Sequence, residues 1–318
     1  MSKLLIHIGY HKTGTKWLQK ELFVPENNVF EPIDNINGGP SRLANLLIVG
    51  EDGYMLSPFE SSIKNVRRRI LHCIALKKRL LNDKTFVMSS ERLSGNPHHG
   101  GFDSKVIASR LKACFPQAQI LIVIREQKSF LMSNYFQYLS RGGTQSIKKY
   151  LNTMYDRRQP MFSPHYIDYF PLISEYYKLF DKRNVKVLPY EMFKTEPVKF
   201  IDEIGDFVGE KIQIDKDRFQ KYHNRKYGKY VMYYFRFLNY FIYKNTFNKF
   251  SIFHNRIFAS LARFLKSVLM VVIPQRSDLI ITDKISEYIR SWENNRYSES
   301  NRKVSELIEI DLSKYGYA

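Results

Sequence analysis

Short apolar runs alternate with longer stretches of helical periodicity along the first two thirds of the chain. Four runs are almost continuous in apolar residues, which is typical of strands buried on both faces of a parallel sheet. They cover residues 4–8, 85–89, 119–124 and 185–188. Strands that alternate with helices predict a parallel α/β sheet.

Amphipathic spacing predicts helices between these runs. Apolar residues three or four positions apart, together with flanking Gly and Pro, set the expected ends of each helix. The segment 25–53 is rich in Asn, Gly and Pro, and predicts a long loop with one short helix at 42–49. In the first 217 residues, the first predicted helix begins at Thr15. The other predicted helices cover 59–81, 104–114, 129–139, 166–180 and 197–208.

The first strand and the first helix are joined by the sequence GYHKTG, from Gly9 to Gly14. Glycines let backbone N–H groups approach a ligand, and the new helix directs its positive dipole end to the same place. This junction therefore predicts a phosphate or sulfate site. The glycine spacing is that of a P-loop, but Thr15, Lys16 and Trp17 follow where Gly, Lys and Ser or Thr would be needed to hold Mg²⁺. Metal-dependent nucleotide chemistry is disfavoured.

Three polar residues directly follow predicted strands or lie in the loop after one. They are Lys12, Glu91 and Arg125, and they follow three different apolar runs. Ligands of open parallel sheets bind outside the carboxyl ends of the strands, so these side chains are expected to meet there. Ser133, eight residues after Arg125, adds a hydroxyl about two helical turns along, and the pair is suited to grip one phosphate.

Composition bounds the class of protein. The chain has 318 residues and a net charge of +19, which indicates an anionic partner such as a nucleotide, an acidic glycan, nucleic acid or a membrane surface. Its length favours one domain, with an α/β core at 1–217 and a basic, aromatic-rich helical region at 218–318.

The cysteines and the N-terminus carry no sign of export. Cys73 and Cys114 fall in predicted helices without metal-ligand spacing, so we expect reduced thiols with neither disulfide nor zinc. The apolar run before the glycine loop is too short for a signal-peptide core, and no run of about 18 uncharged apolar residues marks a membrane span. We expect a cytoplasmic protein.

The loop resembles a known family. The run His11, Lys12, Thr13, Gly14 and Thr15, followed by Trp17 and Leu18, is similar to the 5′-phosphosulfate loop of sulfotransferases that use 3′-phosphoadenosine 5′-phosphosulfate (PAPS). The spacing of Arg125 and Ser133 resembles the 3′-phosphate site of the same enzymes. The resemblance implies a P-loop-like three-layer fold, PAPS as co-substrate without a metal, and sulfuryl transfer to a hydroxyl.

The resemblance also implies roles for single residues. Lys12 and the amides of 13–15 would hold the 5′-phosphosulfate, and Lys16 stands where the family usually has a second Thr. Trp17 is either a stacking platform for adenine or a core residue. A late basic segment clamps the nucleotide in this family, and its match here is Arg225 and Lys226.

The base that accepts the acceptor's proton is expected to be Glu91. Glu91 followed by Arg92 resembles the base of the glycan-directed branch, and residues 301–317 resemble the ending of bacterial carbohydrate sulfotransferases, so a carbohydrate or glycolipid acceptor is implied. In the alternative interpretation Glu91 only pairs with Arg92 or a loop lysine. His98 and His99, in a loop expected to be exposed, are the substitute bases.

Two other functions stay open at this point. One is a P-loop-type nucleotide kinase, and the other is a non-enzymatic basic protein that binds nucleic acid or an anionic membrane. We expect no nucleic-acid partner for the sulfotransferase interpretation. A thermal shift with adenosine 3′,5′-bisphosphate (PAP), but none with ATP and Mg²⁺, distinguishes it from the kinase.

Residues 218–277 contain twelve Lys or Arg and no Asp or Glu. In helical projection Arg263, Ser260 and Ser267 share one side with Lys249 and Arg256, and apolar residues occupy much of the rest. This pattern is typical of a basic amphipathic segment in a membrane interface, so a peripheral membrane contact through 230–274 is expected. The alternative is helices that pack on the sheet or on a second subunit, with a basic groove for an acidic glycan.

Overall fold

The computed structural model describes residues 3–34, 40–48, 60–78, 84–152, 162–221, 228–242, 256–274 and 276–317. Its strands are β1 Leu4–His7, β2 Phe30–Pro32, β3 Thr85–Ser89, β4 Gln119–Ile124 and β5 Val185–Pro189. They form one parallel sheet in the order β2-β3-β1-β4-β5. The predicted parallel α/β sheet is confirmed.

Helices fill the connections and form the C-terminal third. The first, α1 Thr15–Trp17, continues as a π-helical turn over Leu18–Leu22. The others are α2 Glu60–Lys78, α3 Ser104–Cys114, α4 Gln127–Ser140, α5 Ile147–Leu151, α6 Tyr169–Phe180, α7 Tyr190–Thr195, α8 Pro197–Val208, α9 Lys229–Phe235, α10 Asn239–Ile242, α11 Arg256–Val272, α12 Ser277–Glu293 and α13 Ser298–Ile308.

Strand β1 lies in the middle of the sheet. Leu5 pairs with Val87 of β3 on one side and with Gln119 of β4 on the other. The pairing with β4 continues past the end of β1, because the Tyr10 amide donates to the carbonyl of Val123 at 2.9 Å. The loop after β1 therefore emerges between the carboxyl ends of β3 and β4.

Both faces of the sheet are covered, which explains the continuous apolar runs in the sequence. In β4, Ile120 and Ile122 belong to the larger core cluster, on the side of α3 and α6. Leu121 and Val123 point to the other side and pack in a second cluster with Trp17 and residues of α7 and α8. A strand between two apolar layers needs no polar face, so it shows no alternation.

Strand β2 was missed by the sequence analysis, which placed 25–53 in a loop with one short helix. The strand has three residues, ends at Pro32 and, among the described strands, pairs with β3 alone. Proline is tolerated there because an edge strand needs ladder hydrogen bonds on one side only. The expected short helix is present as a 3₁₀ turn at Leu43–Leu46.

Two helices begin at different residues from those predicted. Helix α4 begins at Gln127, two residues early, because the Glu126 carboxylate accepts hydrogen bonds from the amides of Lys128 and Ser129 at 2.8 Å each. Helix α6 begins three residues late, at Tyr169, because Pro164–Ile167 forms a separate 3₁₀ turn. A capping contact therefore sets the start of α4, and the preceding 3₁₀ turn sets the start of α6.

The C-terminal helices pack on the α/β core. Helix α12 contacts α4 and α9, and α13 contacts α6. The Gln127 amide donates to Asn301 of α13 at 2.7 Å, and the Tyr317 hydroxyl donates to the buried carboxylate of Glu191 at 3.0 Å. These contacts connect the end of the chain to the elements that follow β4 and β5.

Both cysteines lie in helices, as the sequence predicts. Cys73 is a half-buried free thiol in α2, and Cys114 is a buried one in α3. Burial raises the pKa of Cys114 to about 11, so its thiol is protonated and unreactive at neutral pH. Within the described residues, no helix has both the length and the apolar character needed to cross a bilayer.

Candidate active site

The loop from Gly9 to Gly14 is tight at both glycines. Gly14 has a φ of 77°, in the left-handed region, and a Cβ there would lie 2.9 Å from the Tyr190 ring. A Cβ on Gly9 would lie 2.5 Å from His7 Nε2. Lys12 also takes a left-handed φ of 68°, which is uncommon outside glycine. The backbone is thus folded into a compact turn that only glycine permits at its two ends.

Internal hydrogen bonds leave the loop's amides available. Thr13 Oγ1 donates to the carbonyl of Tyr10, and the Trp17 amide donates to Gly14 O at 2.8 Å. Among the described residues, the amides of Thr13, Gly14 and Thr15 have no hydrogen-bond acceptor. Successive amides that point to one side form a concave anion site.

A buried polar cluster lies beneath the loop and was not foreseen. His7 Nδ1 lies 2.8 Å from Ser89 Oγ, and the Gln19 amide donates to the same Ser89 hydroxyl at 3.1 Å. Burial lowers the pKa of His7 to about 3, so the imidazole is neutral. The contact joins the end of β1 to the end of β3, which positions the loop relative to Glu91. A histidine inside an apolar strand is the sequence signal for it.

Lys12 and Glu91 have pKa shifts that reflect a shared, partly buried site. Burial lowers the pKa of Lys12, and the charge of Glu91 opposes that shift. Burial also raises the pKa of Glu91, against the charges of Lys12, Lys16 and Arg141. Desolvation is the largest cause for each group, so both charges are less stable than in water. Shifts of this kind are common at functional sites.

The salt bridge considered as an alternative role for Glu91 is not formed with its neighbour. Arg92 Nη2 instead lies 3.0 Å from Asp103 Oδ2, at the start of α3. Glu91 opens a 3₁₀ turn that is capped by Ser90, whose hydroxyl accepts from the Arg92 amide. Its carboxylate is 32 % exposed and thus reachable from solvent.

His11 approaches Glu91 more closely than the sequence suggested. Its Nδ1 lies 3.6 Å from Glu91 Oε1, which is longer than a hydrogen bond. The imidazole is buried, and neither ring nitrogen has a hydrogen-bond partner in the described structure. Burial, followed by the charges of His98 and Arg92, lowers the pKa of His11, so the ring is neutral beside the carboxylate.

Arg125 connects the end of β4 to the loop. Its Nη1 donates to the Lys12 carbonyl at 2.8 Å, and its Nε donates to Ser129 Oγ at 2.8 Å. The guanidinium carbon lies 5.3 Å from the centre of the Tyr190 ring. Ser129 was not among the predicted site residues, and the predicted Ser133 lies one helical turn beyond it, half-buried.

Trp17 is almost fully buried beside the loop. Its indole N–H donates to the Arg218 carbonyl at 2.9 Å. The ring of Phe219 is stacked on the indole, with 5.5 Å between centroids and 10° between planes. The ring of Phe193 is tilted against it, with 4.6 Å between centroids. Its burial between two phenylalanine rings is compatible with the core role, and the role as a platform for adenine stays a prediction.

The remaining predicted site residues are Lys16, Arg225, Lys226, His98 and His99. Lys16 is exposed, and its charge acts on both Lys12 and Glu91. Arg225 and Lys226 lie outside the described residues, as does the side chain of His99. His98 corrects the expectation of an exposed loop, because it is buried with its Nδ1 3.4 Å from the Tyr150 hydroxyl.

The described residues contain no group of three His, Cys, Asp or Glu side chains placed to hold a metal ion. The polar groups that meet at the carboxyl ends of β1, β3 and β4 are instead a cationic loop, an arginine and one carboxylate. Such a set can bind a phosphorylated anion and move one proton.

Comparison with known proteins identifies relatives of this arrangement. The family model of the sulfotransferase domain matches residues 2–240. The crystal structure of a sulfotransferase from Alicyclobacillus acidocaldarius is similar with a TM-score of 0.52 and 14% identity, over 99% of this chain and 98% of that one. No curated protein sequence gives a significant match.

Two further solved structures are more distant. The sulfotransferase domain from the curacin biosynthetic pathway has a TM-score of 0.42 and 13% identity, over 92% of this chain and 97% of that one. A mouse sulfotransferase complexed with PAP has a TM-score of 0.37 and 15% identity, over 69% and 62%. The family match and the Alicyclobacillus structure confirm the P-loop-like three-layer fold.

Proposed function

Because this chain belongs to the sulfotransferase family, we propose that it transfers the sulfuryl group of PAPS to a hydroxyl of a carbohydrate or glycolipid. When bound, PAPS supplies a sulfuryl group on its 5′-phosphate: a bond forms from the acceptor oxygen to sulfur, the bond from sulfur to the phosphate oxygen breaks, and PAP leaves. The observation that carries the proposal is Glu91, a solvent-reachable carboxylate beside Lys12 whose neighbour Arg92 is paired elsewhere.

The loop fits the phosphosulfate end of the donor. The amides of Thr13 to Thr15 lack acceptors in the described structure, and Lys12 is a partly desolvated cation at the same turn. An anion held there would accept hydrogen bonds from these amides and would pair with the charge of Lys12. Arg125 would hold the 3′-phosphate together with Ser133 or Ser129, since its guanidinium already bonds the Ser129 hydroxyl. Lys16, Trp17, Arg225 and Lys226 keep their predicted roles at the phosphate, the adenine and the late clamp.

Proton removal is assigned to Glu91. A general base works best when its pKa lies near the operating pH, and burial moves the pKa of Glu91 upward. The acceptor's proton passes to this carboxylate as the oxygen attacks. Lys12 and the loop amides stabilise the negative charge that develops on the transferred group and the leaving phosphate. Burial lowers the pKa of His11, so this neutral ring, 3.6 Å from the carboxylate, does not compete with Glu91 for the proton.

The identity of the base favours a glycan acceptor. Glu91 comes just after β3, the second apolar run of the sequence, and is followed by the cationic Arg92. This order resembles the glycan-directed branch of the family. Lys16 and Arg141 are exposed beside Glu91 and form a cationic entrance. A polyhydroxylated acceptor, particularly one with acidic groups, suits such an entrance.

The first test is donor binding. We expect PAP to raise the melting temperature and ATP with Mg²⁺ to leave it unchanged, and turnover of labelled PAPS to continue in EDTA. A panel of oligosaccharides and glycolipids with labelled PAPS then identifies the acceptor. Stabilisation by ATP with Mg²⁺ alone, or loss of turnover in EDTA that Mg²⁺ restores, would contradict the proposal and favour a kinase.

A further inference from the structure

Helix α11 exposes large apolar side chains to solvent. Ile257, Leu261, Phe264, Val271 and Val272 are between 63 % and 85 % exposed. Val268, which is 38 % exposed, lies between Phe264 and Val271. Residues 257, 261, 264, 268 and 271 therefore follow one another at intervals of three or four and form one stripe along the helix. We name this stripe the α11 face.

The opposite side of α11 accounts for its attachment to the protein. Ala262 is buried, and Leu269 and Ile273 are half-buried on the side that packs toward α9 and α10. Among the described side chains of residues 256–273, these three face the protein. Contiguous large apolar side chains in solvent mark an interaction site, whereas isolated ones are common on protein surfaces.

Charge separates the possible occupants of this surface. Arg263 is exposed on the flank of the stripe, Arg276 follows the helix, and residues 218–277 hold twelve Lys or Arg and no acid. A second copy docked face to face would bring these like charges together. An anionic lipid bilayer offers acyl chains to the stripe and negative headgroups to the arginines, so it complements both features.

The α11 face is also connected to the entrance of the active site. Helix α10, which contacts α11, carries the buried Asn239. Its amide donates to the carbonyls of Leu139 at 3.1 Å and Gly143 at 2.7 Å. Those two residues flank Arg141, whose charge acts on Glu91 and Lys12.

From these observations we infer that the protein docks on an anionic membrane surface through the α11 face, with the active-site entrance held next to the bilayer. This inference deepens the proposed function, on which its second half rests, by assigning a lipid-linked acceptor to the site. The stripe would enter the interface between headgroups and acyl chains, while Arg263 and its basic neighbours contact the headgroups.

Vesicle flotation tests the docking without donor or acceptor. We expect the protein to float with vesicles of phosphatidylcholine and phosphatidylglycerol at low salt, and to bind far less at 0.5 M salt or to pure phosphatidylcholine. Replacing Arg263 with Glu should weaken binding by roughly 5- to 30-fold, from about 1 kcal/mol per basic charge at the surface. The control Lys211→Glu, at an exposed lysine on the α/β core, should bind like the unmodified protein.

A matched pair of variants tests how much the apolar side chains of the α11 face contribute to vesicle binding. The double variant Leu261→Glu, Phe264→Glu should bind vesicles at least tenfold more weakly than the unmodified protein. The control Val198→Glu, at an exposed valine of α8, should bind them like the unmodified protein. All four variants should keep the thermal shift with PAP, which shows that they fold. Failure of the unmodified protein to float with anionic vesicles at low salt would overturn the inference.

The second-copy explanation is an outcome of the same series. A dimer in light scattering that dissociates in the Leu261→Glu, Phe264→Glu variant, without flotation of the unmodified protein, would show that another subunit covers the α11 face and would overturn membrane docking. Absence of the PAP shift in the unmodified protein would break the proposed function instead, while flotation would still support docking.

Discussion

The donor site and the α11 face distribute charge and apolar surface in opposite ways. At the donor site, Lys12, Glu91 and His11 are partly or fully buried next to the core, and burial is the largest cause of each pKa shift. On α11, apolar side chains such as Ile257 and Val271 lie in solvent beside exposed arginines. Charged groups are thus partly desolvated at the proposed donor site, and apolar groups are exposed on the proposed docking face.

This contrast predicts two separable sets of effects. Changes at the donor site should alter nucleotide binding or turnover and leave vesicle binding intact. Changes on the α11 face should alter vesicle binding and leave donor binding intact. The experiments that follow probe the donor site in order of decreasing expected effect, and a variant that moves both properties would break the contrast.

Replacement of Glu91 by Gln should have the largest effect. Turnover should fall by roughly 10² to 10⁴, the usual scale for loss of a general base, while PAP affinity changes little. The melting temperature at neutral pH should be unchanged or higher, because a carboxylate whose pKa is raised by burial is destabilising when charged. Steady-state kinetics and a thermal shift with PAP measure both.

The matched control for Glu91→Gln is Glu26→Gln, an exposed carboxylate outside the site, which should leave turnover unchanged. Near-normal turnover in Glu91→Gln would move the base elsewhere. His11, 3.6 Å from Glu91, would then be the first side chain to consider, and His98 or His99 would follow.

Replacement of Arg125 by Ala should weaken PAP binding by roughly 10- to 150-fold, which corresponds to about 1.5 to 3 kcal/mol for hydrogen bonds to a charged group. Adenosine 5′-phosphate, which lacks the 3′-phosphate, should be affected much less. Calorimetry with both nucleotides measures the difference, and Arg183→Ala, at an exposed arginine, is the control. Equal losses for both nucleotides would mean that Arg125 acts by holding the Lys12 carbonyl rather than a phosphate.

The pH dependence of kcat/KM should be bell-shaped. Glu91 must be deprotonated, and burial raises its pKa, so activity should be lost on acidification at a pH above the ordinary value of 4.5. Lys12 must be protonated, and burial lowers its pKa, so the alkaline limb should lie below 10.5. A profile measured with saturating donor checks both limbs. An acid limb that persists unchanged in the residual activity of Glu91→Gln would assign it to another group.

The smallest expected effect is optical. PAP binding should change tryptophan fluorescence, because Trp17 is covered by Phe219 and adenine would alter its surroundings. Only two tryptophans are present, so Trp292→Phe should keep the change and Trp17→Phe should remove it. The Leu261→Glu, Phe264→Glu variant should keep it as well. A signal that survives in Trp17→Phe would return Trp17 to a purely structural role.

The position of the candidate site residues in the fold could be predicted from the sequence because they follow the strands directly. Lys12, Glu91 and Arg125 each come at or just after the end of an apolar run, and parallel strands end at one edge of the sheet. What the sequence could not supply were partners across space. The approach of His11 to Glu91 joins two separate connections, and the Arg92–Asp103 pair depends on how the single connection between β3 and α3 folds back, which no local pattern encodes.

The missed elements have equally physical reasons. Strand β2 is short, contains Pro32 and is stabilised by pairing with β3, more than fifty residues away, so its local preferences indicate a loop. The helical periodicity of α11 was correctly recognised. Which side of that helix faces the protein depends on α9 and α10, and only the structure shows that Ala262 is buried while Leu261 is not.

The central position of β1 also affects how the protein is made. Leu5 pairs with Val87 and with Gln119, so one neighbour of β1 is translated 114 residues after it. At roughly 5 to 20 residues per second, that interval lasts about 6 to 23 seconds. During this time the nascent strand lacks a covering edge, and the glycine loop lacks the Val123 carbonyl that holds Tyr10. If the proposed function holds, donor binding has to await the synthesis of β4.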